Sequence, residues 1–248
     1  MPLHGSVACP GEVGKPPLHK PWTLPVRGLA VFHGAADTAR LSHYFLPRLL
    51  LQGKRVLMLD GANCADPRLL ERLARQRGVP FAEFNRQIEI ARAFTCFQLT
   101  ELIARVPRLL ADFPAQVLIV TAFPELYYDE DVRDWNARVA FERALASLQH
   151  WAFPQPVCDR WQVVGGESPT SHLLPTTCRS TDGAGVTQPL TIALFSSAAT
   201  FMPSPARRRF FEKTCAAAAE VWRFDVSADN RLMLVCTQSA LRLRGSDK

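Results

Sequence analysis

The sequence predicts an α/β fold, a mostly parallel, twisted sheet flanked by helices, and three observations carry that expectation. Short apolar runs alternate with stretches of helical length from Gly28 onward, the rhythm of strands that each need a crossover helix. Several runs are apolar throughout rather than alternating, the mark of strands covered on both faces. Proline and glycine punctuate the helical stretches, proline just inside the start and glycine just past the end.

The elements follow in order. Gly28–His33 (GLAVFH) reads as the first buried strand, residues 38–52 as a helix and 55–60 (RVLMLD) as the second strand. Pro67 opens a helix over 67–77 that Gly78 stops. Residues 87–93 read as a strand, 97–111 as a helix, 116–121 (QVLIVT) as the most apolar strand and 133–151 as a long helix. The rhythm then fails over 153–189, where prolines, glycines, serines and threonines accumulate and only 161–164 has strand character; this reads as an irregular insertion. Regularity returns with a strand at 190–196 (LTIALFS) and a helix at 205–221. Strands at 221–226 and 231–237 then form a C-terminal β-hairpin turning on Ala228, Asp229 and Asn230.

Composition bounds the function classes. A chain of 248 residues that is 48% hydrophobic buries a sizeable core, and its simplest division is a flexible proline-rich arm over 1–25 and one α/β domain over 26–248. Five prolines precede Pro25, with no apolar run of signal-peptide length, and no later run reaches membrane-spanning length. Seven cysteines without a Cys-x-x-Cys pair suit a reducing compartment. The expectation is a cytoplasmic protein with no membrane partner. The net charge of +6 suits a polyanion and decides little alone. Cys158, His172 and Cys178 lack the paired spacing of a zinc site, so no metal site is expected.

The loop after the first strand is where such folds cradle phosphate, using G-x-x-x-x-G-K-[ST]. Here Gly34 matches the first position, whereas Ala39 stands for the second glycine, Arg40 for the lysine and Leu41 for the magnesium-binding hydroxyl. Arginine still pairs with phosphate but is bulkier than lysine in a tight loop, and Asp37 repels a triphosphate.

Two further segments carry a resemblance. IARAFTCFQL from Ile90 resembles the strand-to-helix passage of the RecA/RadA recombinase superfamily, archaeal and eukaryotic-type paralogues and bacterial RecA-like accessory proteins included. LDGANCADPRLL from Leu59 is similar to that family's second strand, catalytic turn and following helix. The likeness covers about residues 28–152 and continues more weakly from 190. It implies a RecA-like P-loop NTPase core with degenerate Walker motifs. Ala62 occupies the place of the family's water-activating glutamate, and Thr121 that of the acid ending the Walker B strand. Phosphoryl transfer depends on positioning and charge, so losing lysine, metal ligands and base together predicts no catalytic residues and no required cofactor, with ATP binding without hydrolysis left open.

The same resemblance places two DNA-contacting loops. The first falls on 127–135, where Tyr127, Tyr128 and Trp135 offer stacking surfaces and four acidic residues face Arg133. The second falls on 198–205 and leads into Arg207, Arg208 and Arg209. Ser204 and Pro205 read as N-cap and first helical residue, which would put these arginines in a first turn that disfavours positive charge unless an anion binds. Arg133 and the triplet are therefore the expected DNA-binding residues. The implied function is a non-catalytic accessory in DNA repair or recombination, with single-stranded DNA, a recombinase or a DNA polymerase as partner. One alternative is an unusual ATP-dependent enzyme using Arg40 for phosphate and acids such as Asp129, Glu130 or Asp131 from a neighbouring protomer; another is a protein-interaction module with no nucleic-acid role.

Overall fold

The computed structural model describes residues 23–25, 28–35, 37–153 and 190–239. The expected arm up to residue 22 and the expected insertion from 154 to 189, with its strand at 161–164 and Cys158, His172 and Cys178, lie outside those residues.

Seven strands form one sheet in the order β3-β2-β4-β5-β1-β6-β7. They are β1 Gly28–His33, β2 Val56–Asp60, β3 Ile88–Arg92, β4 Val117–Thr121, β5 Thr191–Ser196, β6 Glu220–Val226 and β7 Leu232–Ser239. β1 to β6 pair in parallel, and β7 runs antiparallel to β6. The continuous apolar runs are explained by burial on two sides, because successive residues face opposite layers. Leu29, Val31, Leu57, Leu59, Leu118, Val120, Ile192 and Leu194 enter one core. Ala30, Phe32, Val56, Met58, Val117, Ile119, Ala193 and Phe195 enter the other.

The helices divide between these cores. α1 (Thr38–Leu41), α2 (Leu46–Leu51), α3 (Pro67–Gln76) and α4 (Phe81–Asn85) cover the face that carries Phe32 and Phe195. α5 (Cys96–Ala104), α6 (Val106–Asp112), α7 (Asp134–Ala152) and α8 (Phe210–Ala217) cover the face that carries Leu59 and Val120. Chain leaving β1 and β2 therefore passes over one face, and chain leaving β3, β4 and β5 over the other. Neighbouring strands send their connections to opposite faces at β3 beside β2, at β2 beside β4 and at β5 beside β1, the arrangement in which loops part at the carboxyl edge.

Three helices differ from expectation. The helix expected at 38–52 is divided by a 3-10 turn at Ser42–Phe45, and Pro47, which cannot donate to the preceding turn, lies in the first turn of α2. Pro107 does the same to the helix expected at 97–111, which breaks at Arg105. The helix expected at 205–221 is only Phe210–Ala217, because residues 204–209 are a turn and Ala219 already donates to the Leu29 carbonyl (2.8 Å) in register with β1. Among the described residues no helix is long and apolar enough to cross a membrane.

Candidate functional site at the carboxyl edge of the sheet

The loop after β1 is shorter than a phosphate cradle needs. Helical geometry begins at Thr38, within the motif, and the Thr38 hydroxyl donates to the Ala35 carbonyl (2.6 Å), drawing the loop onto itself. Gly34 serves this tight passage, since a Cβ there would lie 2.9 Å from Thr38 Oγ1 and 3.1 Å from Phe224 Cβ. Arg40 is exposed, and its guanidinium pairs with Asp66 at 3.2 Å. Leu41 packs at the edge of the core on this face.

The turn after β2 is organised by Asp60, which is wholly buried. Its Oδ1 accepts from the Cys64 amide (3.1 Å) and the Thr121 hydroxyl (3.0 Å), its Oδ2 from the Ala65 amide (2.9 Å). Thr121 in turn accepts from the Ala62 amide at 3.2 Å. Arg92 approaches Asp60 at 3.9 Å and donates to the Ala65 carbonyl at 3.2 Å. A buried carboxylate is tolerated when its lone pairs are occupied in this way. Gly61 permits the two strand ends to meet, because a Cβ at that position would lie 2.7 Å from the Thr121 carbonyl oxygen.

Asp66 links the two loops. It caps α3 by accepting from the Arg68 (3.0 Å) and Leu69 (3.2 Å) amides, which hold its carboxyl below the usual carboxylate range. Its own amide donates to His43 Nε2 (3.3 Å), while His43 Nδ1 donates to the Arg40 carbonyl (3.0 Å). Acceptance at Nε2 requires the neutral ring, and burial keeps the His43 pKa below the ordinary imidazole value.

Between the loops lies a cavity of about 430 Å³ lined by Asp37, Ala39, Arg40, Ala62, Cys64 and Asp66, among others. Of the residues expected there, Ala39, Arg40 and Ala62 meet on its wall, Thr121 lies behind it bonded to Ala62, and Gly34 and Leu41 are set back. A magnesium-bound nucleoside triphosphate does not fit this wall. Among the described residues its one cation, Arg40, pairs with Asp66, Asp37 adds negative charge, and the Asp60 oxygens accept from the protein's own amides and the Thr121 hydroxyl. Burial, reinforced by Asp60, pushes the Cys64 thiol up to about 12, away from the reactive thiolate. The arrangement holds loops in place: Asp60, Asp66 and Arg40 all bond to groups of the two loops themselves.

The residues expected to touch DNA divide in the same way. Arg207 is corrected: it is 3% exposed, and its Nε pairs with Asp134 at 2.6 Å. Its remaining nitrogens donate to the carbonyls of Tyr127 (3.2 Å), Asp129 and Val132. No phosphate reaches a guanidinium enclosed in this manner. The helix-dipole argument for the triplet also falls, since Arg207 and Arg208 precede α8 and Arg209 is its N-cap. Arg208, Arg209 and Arg133 remain exposed. Tyr127 and Tyr128 are core residues, Tyr127 donating or accepting with Thr100 at 2.9 Å, while Trp135 is exposed.

Sequence reasoning missed His43, whose role depends on a partner 23 residues away, and gave Asp60 no role beyond marking the end of the second strand. It also missed Glu125. Burial raises its pKa, and its carboxyl accepts from the Ser196 hydroxyl (3.2 Å), the Ser197 hydroxyl (3.1 Å) and the Ser197 amide, tying the chain after β4 to the end of β5. The proximity of LDGANCAD to a strand end was the one signal available for Asp60. No protein-family model and no curated protein matches the chain.

Proposed function

We propose that the chain is a non-catalytic RecA/RadA-like protein acting as a DNA-binding or scaffolding accessory in DNA repair or recombination. The observation that carries this reading is the self-satisfied carboxyl edge, in which Arg40 is paired to Asp66 and Asp60, Thr121 and Ala62 bond to one another. A mostly parallel sheet whose first-strand loop meets the turn after β2 beside a cavity supports descent from a phosphate-handling fold. The loss of a free cation and water-activating acid at that cavity supports a role other than hydrolysis. DNA contact then falls to the exposed Arg133, Arg208 and Arg209.

The test uses the purified full chain. ATP turnover is expected at background; turnover that disappears in Arg40→Ala sinks the non-catalytic reading. Single-stranded DNA retention on filters is expected to weaken in the Arg208→Glu, Arg209→Glu double variant. The log-log salt slope should fall by about 0.7 for each phosphate that the variant no longer neutralises. Salt-insensitive retention, unchanged in that variant, removes the DNA arm and leaves scaffolding, which recovery of a recombinase or polymerase on the immobilised chain then decides.

A further inference from the structure

Between α5 and α7 the surface opens into a groove of about 350 Å³ whose wall includes Phe97, Thr100, Trp135, Val139 and Arg143. Its apolar side chains are unusually open to solvent for their size: Trp135 is 64% exposed, Phe97 50% and Val139 46%. Aromatic groups left exposed together around a concavity mark a contact surface, since each forfeits burial that would otherwise stabilise the fold.

Charge is distributed along α7 in a definite order. Just before its N-terminus Asp129, Glu130, Asp131 and Arg133 are exposed, and none of them makes a side-chain ion pair among the described residues. One and two turns beyond Trp135 come Arg138, whose guanidinium lies 4.7 Å from the Trp135 ring centroid, and Arg143, both exposed. The other acids of this face are already committed, Asp134 to Arg207, Glu142 to Lys213 and Glu101 to Arg105. The surface thus runs from an end of three acids and Arg133, negative in sum, through the aromatic centre to the two arginines. A phosphate backbone is repelled by one end, and an acidic peptide is repelled by the same end. A second copy turned by a two-fold axis meets neither obstacle, because its basic end lies against the acidic end of the first, with the aromatic centres facing.

We infer that this groove is the interface of a two-fold dimer of the chain, with α7 antiparallel to its symmetry mate and Phe97, Trp135 and Val139 at the centre. The assembly is independent of the reading of the carboxyl edge, which lies between other loops.

Sedimentation equilibrium of the full chain is expected to give twice the mass of one chain. Trp135→Glu, at a site exposed enough to leave the fold intact by circular dichroism, should raise the dimer dissociation constant by at least about thirtyfold. Arg138→Glu with Arg143→Glu should do likewise, and adding Asp129→Arg with Asp131→Arg should restore the dimer, because exchanged charges again face each other across the axis. A monomeric wild-type chain, or a dimer indifferent to Trp135→Glu, overturns the inference. So does a charge exchange that fails to restore a folded double variant. Quenching of Trp135 fluorescence by an oligonucleotide, with the chain remaining monomeric, would assign the groove to nucleic acid instead and equally overturn it.

Discussion

Arg207 shows how much one side chain organises at the edge of this sheet. Its guanidinium joins the turn before α8 to the Tyr127, Asp129 and Val132 carbonyls and to Asp134 at the start of α7. Lysine has neither the planar fork nor enough donors to reproduce this, so Arg207→Lys leaves buried carbonyls without partners. The expected cost is about 2–4 kcal/mol, read as a lower urea midpoint at unchanged slope. His43 sets a second expectation. Its folded pKa lies below the 6.5 of the unfolded ring, so below pH 6.5 the unfolded chain binds a proton that the folded chain resists. Stability is therefore complete above 6.5 and falls as pH drops towards the folded value. His33, lowered by burial and by Arg223, adds in the same sense. Urea midpoints between neutral and mildly acid pH should fall less steeply in His43→Asn than in the wild type; equal slopes would remove His43 from the account.

Elements meet at this edge only because their ends are permitted to approach. Gly61 stands where β2 gives way to its turn, and the Thr121 carbonyl that closes β4 lies 2.7 Å from where a Cβ would be. Backbone cannot retreat as a flexible side chain does, so Gly61→Ala should cost about 1–3 kcal/mol by overpacking. It should also loosen the Ala62 amide in the following turn, read as faster hydrogen exchange at that amide than in the wild type. The strands were legible in the sequence to within about two residues at most ends; for β1, β2, β4 and β5 that is because burial on both faces writes a nearly uninterrupted apolar run. Helix continuity was not. Pro47 and Pro107 sit where a helix-favouring pattern continues on both sides, and periodicity does not report a break that leaves the apolar face aligned.

At the scale of the whole molecule, both cores share the same strands, so neither layer of helices can leave without exposing residues one position away from the other layer. Far-ultraviolet circular dichroism and the fluorescence of the buried Trp222 should therefore report one coincident urea transition. Separated midpoints would mean that one layer detaches first. Aromatic contacts tie each layer together: Phe32 stacks on Phe195 at 4.9 Å and meets Phe45 of the 3-10 turn edge-on at 5.0 Å, and Phe141 stacks on Phe210 at 4.3 Å in the other layer.

By itself the sequence determined the α/β class, the strand runs and the presence of Ala39, Arg40 and Leu41 where the phosphate-binding pattern has glycine, lysine and a hydroxyl residue, all of which are local facts of residue type and spacing. Tertiary structure alone decided what those side chains do instead. Arg40 reaches Asp66 across 26 residues, Thr121 reaches Asp60 across 61, and Arg207 reaches Asp134 across 73. A run of arginines reads the same whether it faces solvent or is enclosed. Only the fold decides which one is surrounded by carbonyls, because burial is a property of what arrives from elsewhere in the chain.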